Sequence, residues 1–184
     1  ADFMREKGPD GMVFTIPSLS FGREIEVPII DHTMALASIA NGGKLLRAKL
    51  NFEQEPIEDG RVMSEGVAEN VRNAMHDMIM YDNRKWLPHR DDFNYCGKSG
   101  TSKHISGPAK DKYTSLFVAY GPLEEPEVLV LVVAFGTHGT TAHYYGSQVC
   151  GPAAANILQH ALKSRGTLPP SGLESGANKA NLDR

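Results

Sequence analysis

A chain of 184 residues with 41% hydrophobic and 22% charged side chains has the size and balance of one globular domain or a large piece of one. Its formal charge of -3, with neither sign gathered into a long run, argues against nucleic acid or an anionic membrane surface as partner. No segment reaches the roughly 18 to 20 consecutive apolar residues that cross a bilayer, and the mixed charges of Ala1 to Lys7 do not read as a signal peptide.

Met12 to Val27 is rich in Gly, Pro and Ser, and Ser18-Leu19-Ser20-Phe21-Gly22 reads as an irregular or extended lead-in. A helix is expected from Asp31 or Thr33, either of which can cap it, through Met34, Leu36, Ala37, Ile39 and Ala40 to Asn41-Gly42-Gly43. Lys44 to Phe52 alternates enough for a strand. In the next helix Val67, Val71, Ala74, Met75, Met78 and Ile79 recur at three- and four-residue steps behind a Ser64 cap. Its Met-rich face reads as core packing rather than a cofactor or partner groove.

A polar loop from Tyr81 to Asp92 leads to three strands, Phe93 to Ser102, Tyr113 to Tyr120 and Glu127 to Phe135. The Gly121-to-Pro126 link is too short for a crossover helix, so the strands should pair antiparallel. Val128 to Phe135, apolar on both alternating faces, is expected to be the central strand, covered on both sides. A last helix is expected over Gln148 to Lys163, with Pro152 in its first turn. Its inward stripe is Val149, Ala153, Ile157, Leu158, Ala161 and Leu162, and the small Gly151, Ala153, Ala154 and Ala155 would let it lie close on a sheet. Residues 166 to 184 carry no apolar periodicity and read as a disordered or solvated tail. The fold class is α+β, an antiparallel sheet covered by helices.

Cys96 and Cys150 fit no metal spacing and read as buried thiols in preference to a disulfide. His138 and His143 flank a Gly-Thr-Thr turn rather than standing at i and i+4 on a helix, so no metal site is expected. The chemistry is concentrated in Gly97-Lys98-Ser99-Gly100-Thr101-Ser102. Its first three residues match the end of a phosphate-loop pattern, but Asp92 stands where the opening Gly belongs, and the segment lies late in a strand. On a strand, alternation sends Ser99 and Thr101 to one side and Lys98 to the other, unless a twisted edge gathers them. Gly100 leaves room for a peptide to add as a strand, while the ammonium and hydroxyls meet its terminal carboxylate. On this segment alone, a hairpin strand with ordinary surface hydroxyls explains the residues equally well.

The larger pattern decides between them. Ser20-Phe21-Gly22 leads into a helix ending Ile39-Ala40-Asn41-Gly42-Gly43-Lys44-Leu45; a Val-rich helix precedes the Lys98 strand; Tyr144-Tyr145-Gly146-Ser147 runs into a helix with Pro152 and Ala153. Over residues 12–165 this resembles the C-terminal half of the transpeptidase domain of class B penicillin-binding proteins. The resemblance implies part of the penicillin-binding and serine β-lactamase-like fold, with residues 1–165 in the domain. It implies that Lys98 is catalytic, supplying positive field, that Ser99, Gly100, Thr101 and Ser102 bind substrate, with Ser99 and Thr101 holding the carboxylate of a D-alanyl substrate or β-lactam, and that the Thr101 amide is one of two oxyanion donors. No cofactor is implied. The family's Ser-x-x-Lys and Ser-x-Asn motifs are absent: no Ser stands three residues before any Lys, and no Ser-x-Asn occurs.

Two departures, Ser147 in place of a second Gly and Ile29-Ile30-Asp31-His32 before the first helix, blur the subfamily rather than the fold. The resemblance implies a peptidoglycan D,D-transpeptidase of the cell envelope, periplasmic and membrane-anchored when intact, acting on D-Ala-D-Ala stem peptides. This chain alone should be inactive. Its partner should be the N-terminal half of the same domain, and an uncovered sheet edge should favour self-association. The alternatives are a non-catalytic carboxylate- or β-lactam-binding module, an inactive relative, or a serine β-lactamase or β-lactam sensor.

Overall fold

The computed structural model describes residues 27–51, 53–81, 87–89, 91–104, 108, 110–138 and 144–168. The lead-in over Ser18 to Gly22, His143 and the tail beyond Leu168 lie outside the described residues. Helix α1, Ile29–Ala40, begins two residues before the expected Asp31 and follows Pro28 without a side-chain cap. Thr33 bonds back along the helix instead, its hydroxyl donating to the Ile29 carbonyl at 2.8 Å, and Asp31 sits in the first turn, where a carboxylate suits the helix dipole. The helix stops where Gly42 and Gly43 take φ of 77° and 97°. Only glycine serves at Gly43, because a Cβ there would also overlap the Met63 carbonyl.

The expected Lys44-to-Phe52 strand contracts to β1, Lys44–Leu46. It pairs antiparallel with β2, Glu58–Arg61, from Lys44 opposite Arg61 to Leu46 opposite Glu58. Strand β2 is exposed throughout and carries no alternation that sequence reading could detect. Polar contacts hold this arm, Lys44 to Glu58 at 3.3 Å and Arg47 to Asp59 at 2.7 Å. Helix α2, Glu65–Met80, is capped as expected by the Ser64 hydroxyl, which accepts from the Val67 amide at 3.3 Å. Its buried residues are Ala68, Met75 and Ile79. Val67 and Ala74, assigned to the core stripe from spacing, are exposed.

Strands β3, Cys96–Lys103, β4, Tyr113–Gly121, and β5, Val128–Thr137, form an antiparallel sheet in the order β3-β4-β5. Here the structure corrects the expected centre. Strand β4 is central, with Ser115 and Phe117 to Gly121 buried, whereas β5 is an edge strand among the described residues and only half-buried. Being apolar on both faces shows that a strand can be covered twice, but its neighbours decide whether it is. The turn between β4 and β5 closes through the Glu127 amide to the Gly121 carbonyl at 2.9 Å.

The single helix expected from Gln148 breaks at Cys150 into α3, Gly146–Val149, and α4, Gly151–Arg165, with Pro152 in the first turn of α4. Helix α4 buries Gly151, Ala154, Ala155, Leu158 and Leu162, so the inward stripe keeps Leu158 and Leu162 but turns Ala153 and Ile157 to solvent. These side chains meet Phe117, Ala119, Tyr95 and Ile79 on one face of the sheet. The other face packs Cys96, Val118 and Tyr120 against Met75 of α2. Cys96 and Cys150 are buried free thiols. At the rim, Glu127 accepts from Arg165 and Thr167, tying the start of β5 to the end of α4.

Candidate functional site

Position on the sheet settles where each singled-out residue stands. Ser99 and Thr101 lie opposite Phe117 and Ser115, on the face covered by α4, while Lys98 lies opposite Val118 on the α2 face. The alternation expected from the sequence therefore holds along β3. Lys98 is exposed, Ser99 and Gly100 are half-buried, and Thr101 and Ser102 are exposed. The Lys98 ammonium turns along the strand and donates to the Ser99 carbonyl at 2.7 Å. Gly97 is wholly committed to packing. A Cβ there would stand 2.6 Å from Ile79 Cδ1 and 2.9 Å from the Phe117 ring, so the strand lies close against its neighbours just before the cation.

One edge of β3 pairs with β4; among the described residues nothing pairs with the other. Beside Lys98 lies a groove of about 500 Å³ whose walls are Val67, Val71, Ala74, Met75 and Met78 of α2, with Asn70. The Met-rich face read as core thus divides. Met75 and Ile79 are buried against the sheet, while Val67, Val71, Ala74 and Met78 open onto this apolar groove, whose one charged wall is Lys98. The division has a simple geometric cause: α2 crosses the sheet near its β3 edge, so part of its apolar side overhangs.

On the opposite face, Thr101 Oγ1 accepts a hydrogen bond from the Gly146 amide at 2.9 Å, and the buried Ser115 hydroxyl donates to the Tyr144 carbonyl. The rings of Tyr113 and Tyr144 stack with centroids 4.1 Å apart, and Tyr145 leans on Tyr144 at 4.6 Å. The neighbouring Tyr144 hydroxyl raises the Tyr145 pKa, and a bond to Asp111 at 3.0 Å raises that of Lys103. Sequence reading missed the part played by Ser115. A hydroxyl inside an otherwise apolar strand was the available signal. Among the described residues, no group of three or more His, Cys, Asp and Glu is placed to hold a metal ion. The arrangement is an edge offering an ammonium, two hydroxyls and a backbone that no described strand pairs with, suited to an extended ligand ending in an anion.

Comparison with known proteins agrees in extent with this geometry. The family model for the penicillin binding protein transpeptidase domain matches residues 9–159. The chain is 29% identical over 167 residues to the probable peptidoglycan D,D-transpeptidase PenA of Neisseria gonorrhoeae, covering 88% of this chain and 28% of that protein. It is 30% identical over 160 residues to the probable peptidoglycan D,D-transpeptidase PbpC of Pseudomonas aeruginosa, covering 85% and 28%. Among solved structures, the apo transpeptidase domain of Burkholderia pseudomallei penicillin-binding protein 3 superposes with a TM-score of 0.66 at 28% identity, over 83% of this chain and 46% of that one. A peptidoglycan glycosyltransferase from Burkholderia ambifaria, at 22% identity and a TM-score of 0.63, shares the fold. The chain thus spans little more than a quarter of these curated relatives and under half of these solved chains.

Proposed function

The chain belongs to the penicillin binding protein transpeptidase domain family, and from that premise we propose that residues 1–165 are the C-terminal portion of a peptidoglycan D,D-transpeptidase domain, followed by a polar tail. The observation that carries the proposal is the edge of β3 that no described residue pairs with, where one ammonium and two hydroxyls flank a glycine within four consecutive residues. Lys98 supplies positive field, Ser99 and Thr101 take the terminal carboxylate of a D-Ala-D-Ala stem peptide or of a β-lactam, Gly100 lets the ligand backbone approach, and Ser102 extends the polar edge. The names of the matching relatives favour a transpeptidase over a β-lactamase.

The rest of the domain contributes the Ser-x-x-Lys and Ser-x-Asn motifs that these 184 residues lack. The Ser hydroxyl adds to the carbonyl carbon between the two D-alanines, the C–N bond breaks, and D-Ala leaves with the proton. The amine of a neighbouring stem peptide then takes the acyl group from the ester. The Thr101 amide is one of two donors to the oxyanion, and loss of one such donor costs about 3 to 4 kcal/mol of transition-state stabilisation. This work belongs in the cell envelope, outside the cytoplasmic membrane, with the anchor elsewhere in the intact protein.

Labelling with a fluorescent penicillin tests the reading. The chain alone should stay unlabelled, and the same residues completed by a segment bearing both Ser motifs should label covalently. Lys98→Ala in the completed domain should slow labelling by about 100-fold or more. Labelling of the isolated chain contradicts the supporting role of Lys98. A completed domain that binds reversibly and never labels points to a non-catalytic binding module instead.

A further inference from the structure

Carboxylate docking on β3 leaves a set of polar contacts beneath it unused. Ser115 is fully buried, stands opposite Thr101, donates to the Tyr144 carbonyl and lies 3.0 Å from Thr137 Oγ1. Thr137 in turn donates to the Tyr113 carbonyl at 3.1 Å. Two residues beyond Tyr144, the Gly146 amide donates to Thr101 Oγ1 at 2.9 Å. A Cβ at Gly146 would overlap the carbonyls of Leu116 and Gly100, so residues 144–146 lie flat on the backbones of β3 and β4. Hydroxyls fasten this strap at both ends.

A threonine hydroxyl has one proton and two lone pairs. With the Gly146 amide fixed on one lone pair, the oxygen is oriented and its proton remains to be given to something outside. Resting on the reading of β3 as a docking edge, we infer that Gly146 and Ser115 are positioning residues: by holding the strap they set Thr101 as a hydrogen-bond donor toward the bound ligand. The edge thereby selects an ionised carboxylate terminus, which has two acceptor oxygens and no donor, over a neutral amide terminus, which brings donors of its own. Ser115 acts on the ligand through Tyr144, Gly146 and Thr101 and touches no substrate itself.

The test is an NMR titration of the ¹⁵N-labelled chain with N-acetyl-D-alanyl-D-alanine and with its C-terminal amide, together with hydrogen exchange at the Gly146 amide. Wild type should favour the acid. Thr101→Val should lose about tenfold in acid affinity, the effect of one charge-assisted hydrogen bond, and should lose Gly146 protection, while Thr101→Ser keeps both. Ser115→Ala should cut the preference for acid over amide by about threefold, a fraction of that bond, leave amide binding unchanged and expose the Gly146 amide to faster exchange. Gly146→Ala should match or exceed it; should that variant unfold, Ser115→Ala carries the decision. A loss in Thr101→Val with an unchanged preference in Ser115→Ala, or equal weakening of both ligands there, overturns this inference alone. No effect of Thr101→Val, or no binding of the acid by wild type, overturns the docking reading and this inference with it.

Discussion

Cys96 shows how far burial can alter a single group. Its thiol is fully enclosed and donates to the Arg72 carbonyl at 3.3 Å, and desolvation pushes its pKa up to about 11. The folded state therefore holds the proton more tightly than the unfolded chain, whose thiol titrates near about 8.5. The resulting stability is fully present below that value and is lost as pH rises toward the folded pKa. Urea midpoints measured from pH 7 to 11 should fall in that window for wild type and fall less for Cys96→Ala. At pH 8 a thiol reagent should find neither cysteine until the chain is denatured. Gly97 makes the opposite point about space: with Ile79 Cδ1 2.6 Å from the position of a Cβ, Gly97→Ala should cost on the order of 1 to 3 kcal/mol by overpacking, read as a lowered thermal midpoint. Lys98→Ala, on an exposed side chain, should leave stability within about 0.5 kcal/mol while weakening acid binding.

Elements form here for reasons of unequal strength. Helix α2 has a cap, a period and a buried face, and Ser64→Ala should cost it about 1 kcal/mol, measurable by denaturant titration with unchanged slope. Its capping residue was legible because Ser64 sits directly ahead of the apolar period. Helix α1 was legible in its body and its Gly42-Gly43 end, and misread at its start because Asp31 and Thr33 look like caps wherever they stand near a helix. Strand β2 escaped notice because polar pairing to β1 holds it, leaving no burial to pattern it. The stripe of α4 was displaced by a residue at Ala153 and Ile157, since a helix of small side chains can present several faces equally well. Packing against Phe117 then chose Ala154 and Ala155.

At the scale of the whole molecule, the described residues end in exposed apolar surface on two sides. Strand β5 is apolar from Val128 to Phe135 and, among the described residues, pairs only with β4; Phe135 is 67% exposed, and α2 overhangs an open groove. Unpaired apolar strand edges invite strand addition. The isolated chain is accordingly expected to self-associate, with a thermal midpoint that rises with protein concentration. A monomer in light scattering with a concentration-independent midpoint counts against it. Completion by the remainder of the domain should raise that midpoint and abolish the concentration dependence.

Local structure was readable one residue at a time: the helices from their periods and the three long strands, the Lys98 strand among them, from alternation and turns. These depend on interactions a few residues apart, which a sequence displays directly. Tertiary structure alone decided that β4 rather than β5 lies at the centre, that Lys98 and Thr101 occupy opposite faces of one strand, and that a strap 45 residues further along the chain reaches Thr101 through Gly146. Burial and hydrogen-bond partnership across such separations are set by which surfaces meet, and no local pattern of residue types encodes that meeting.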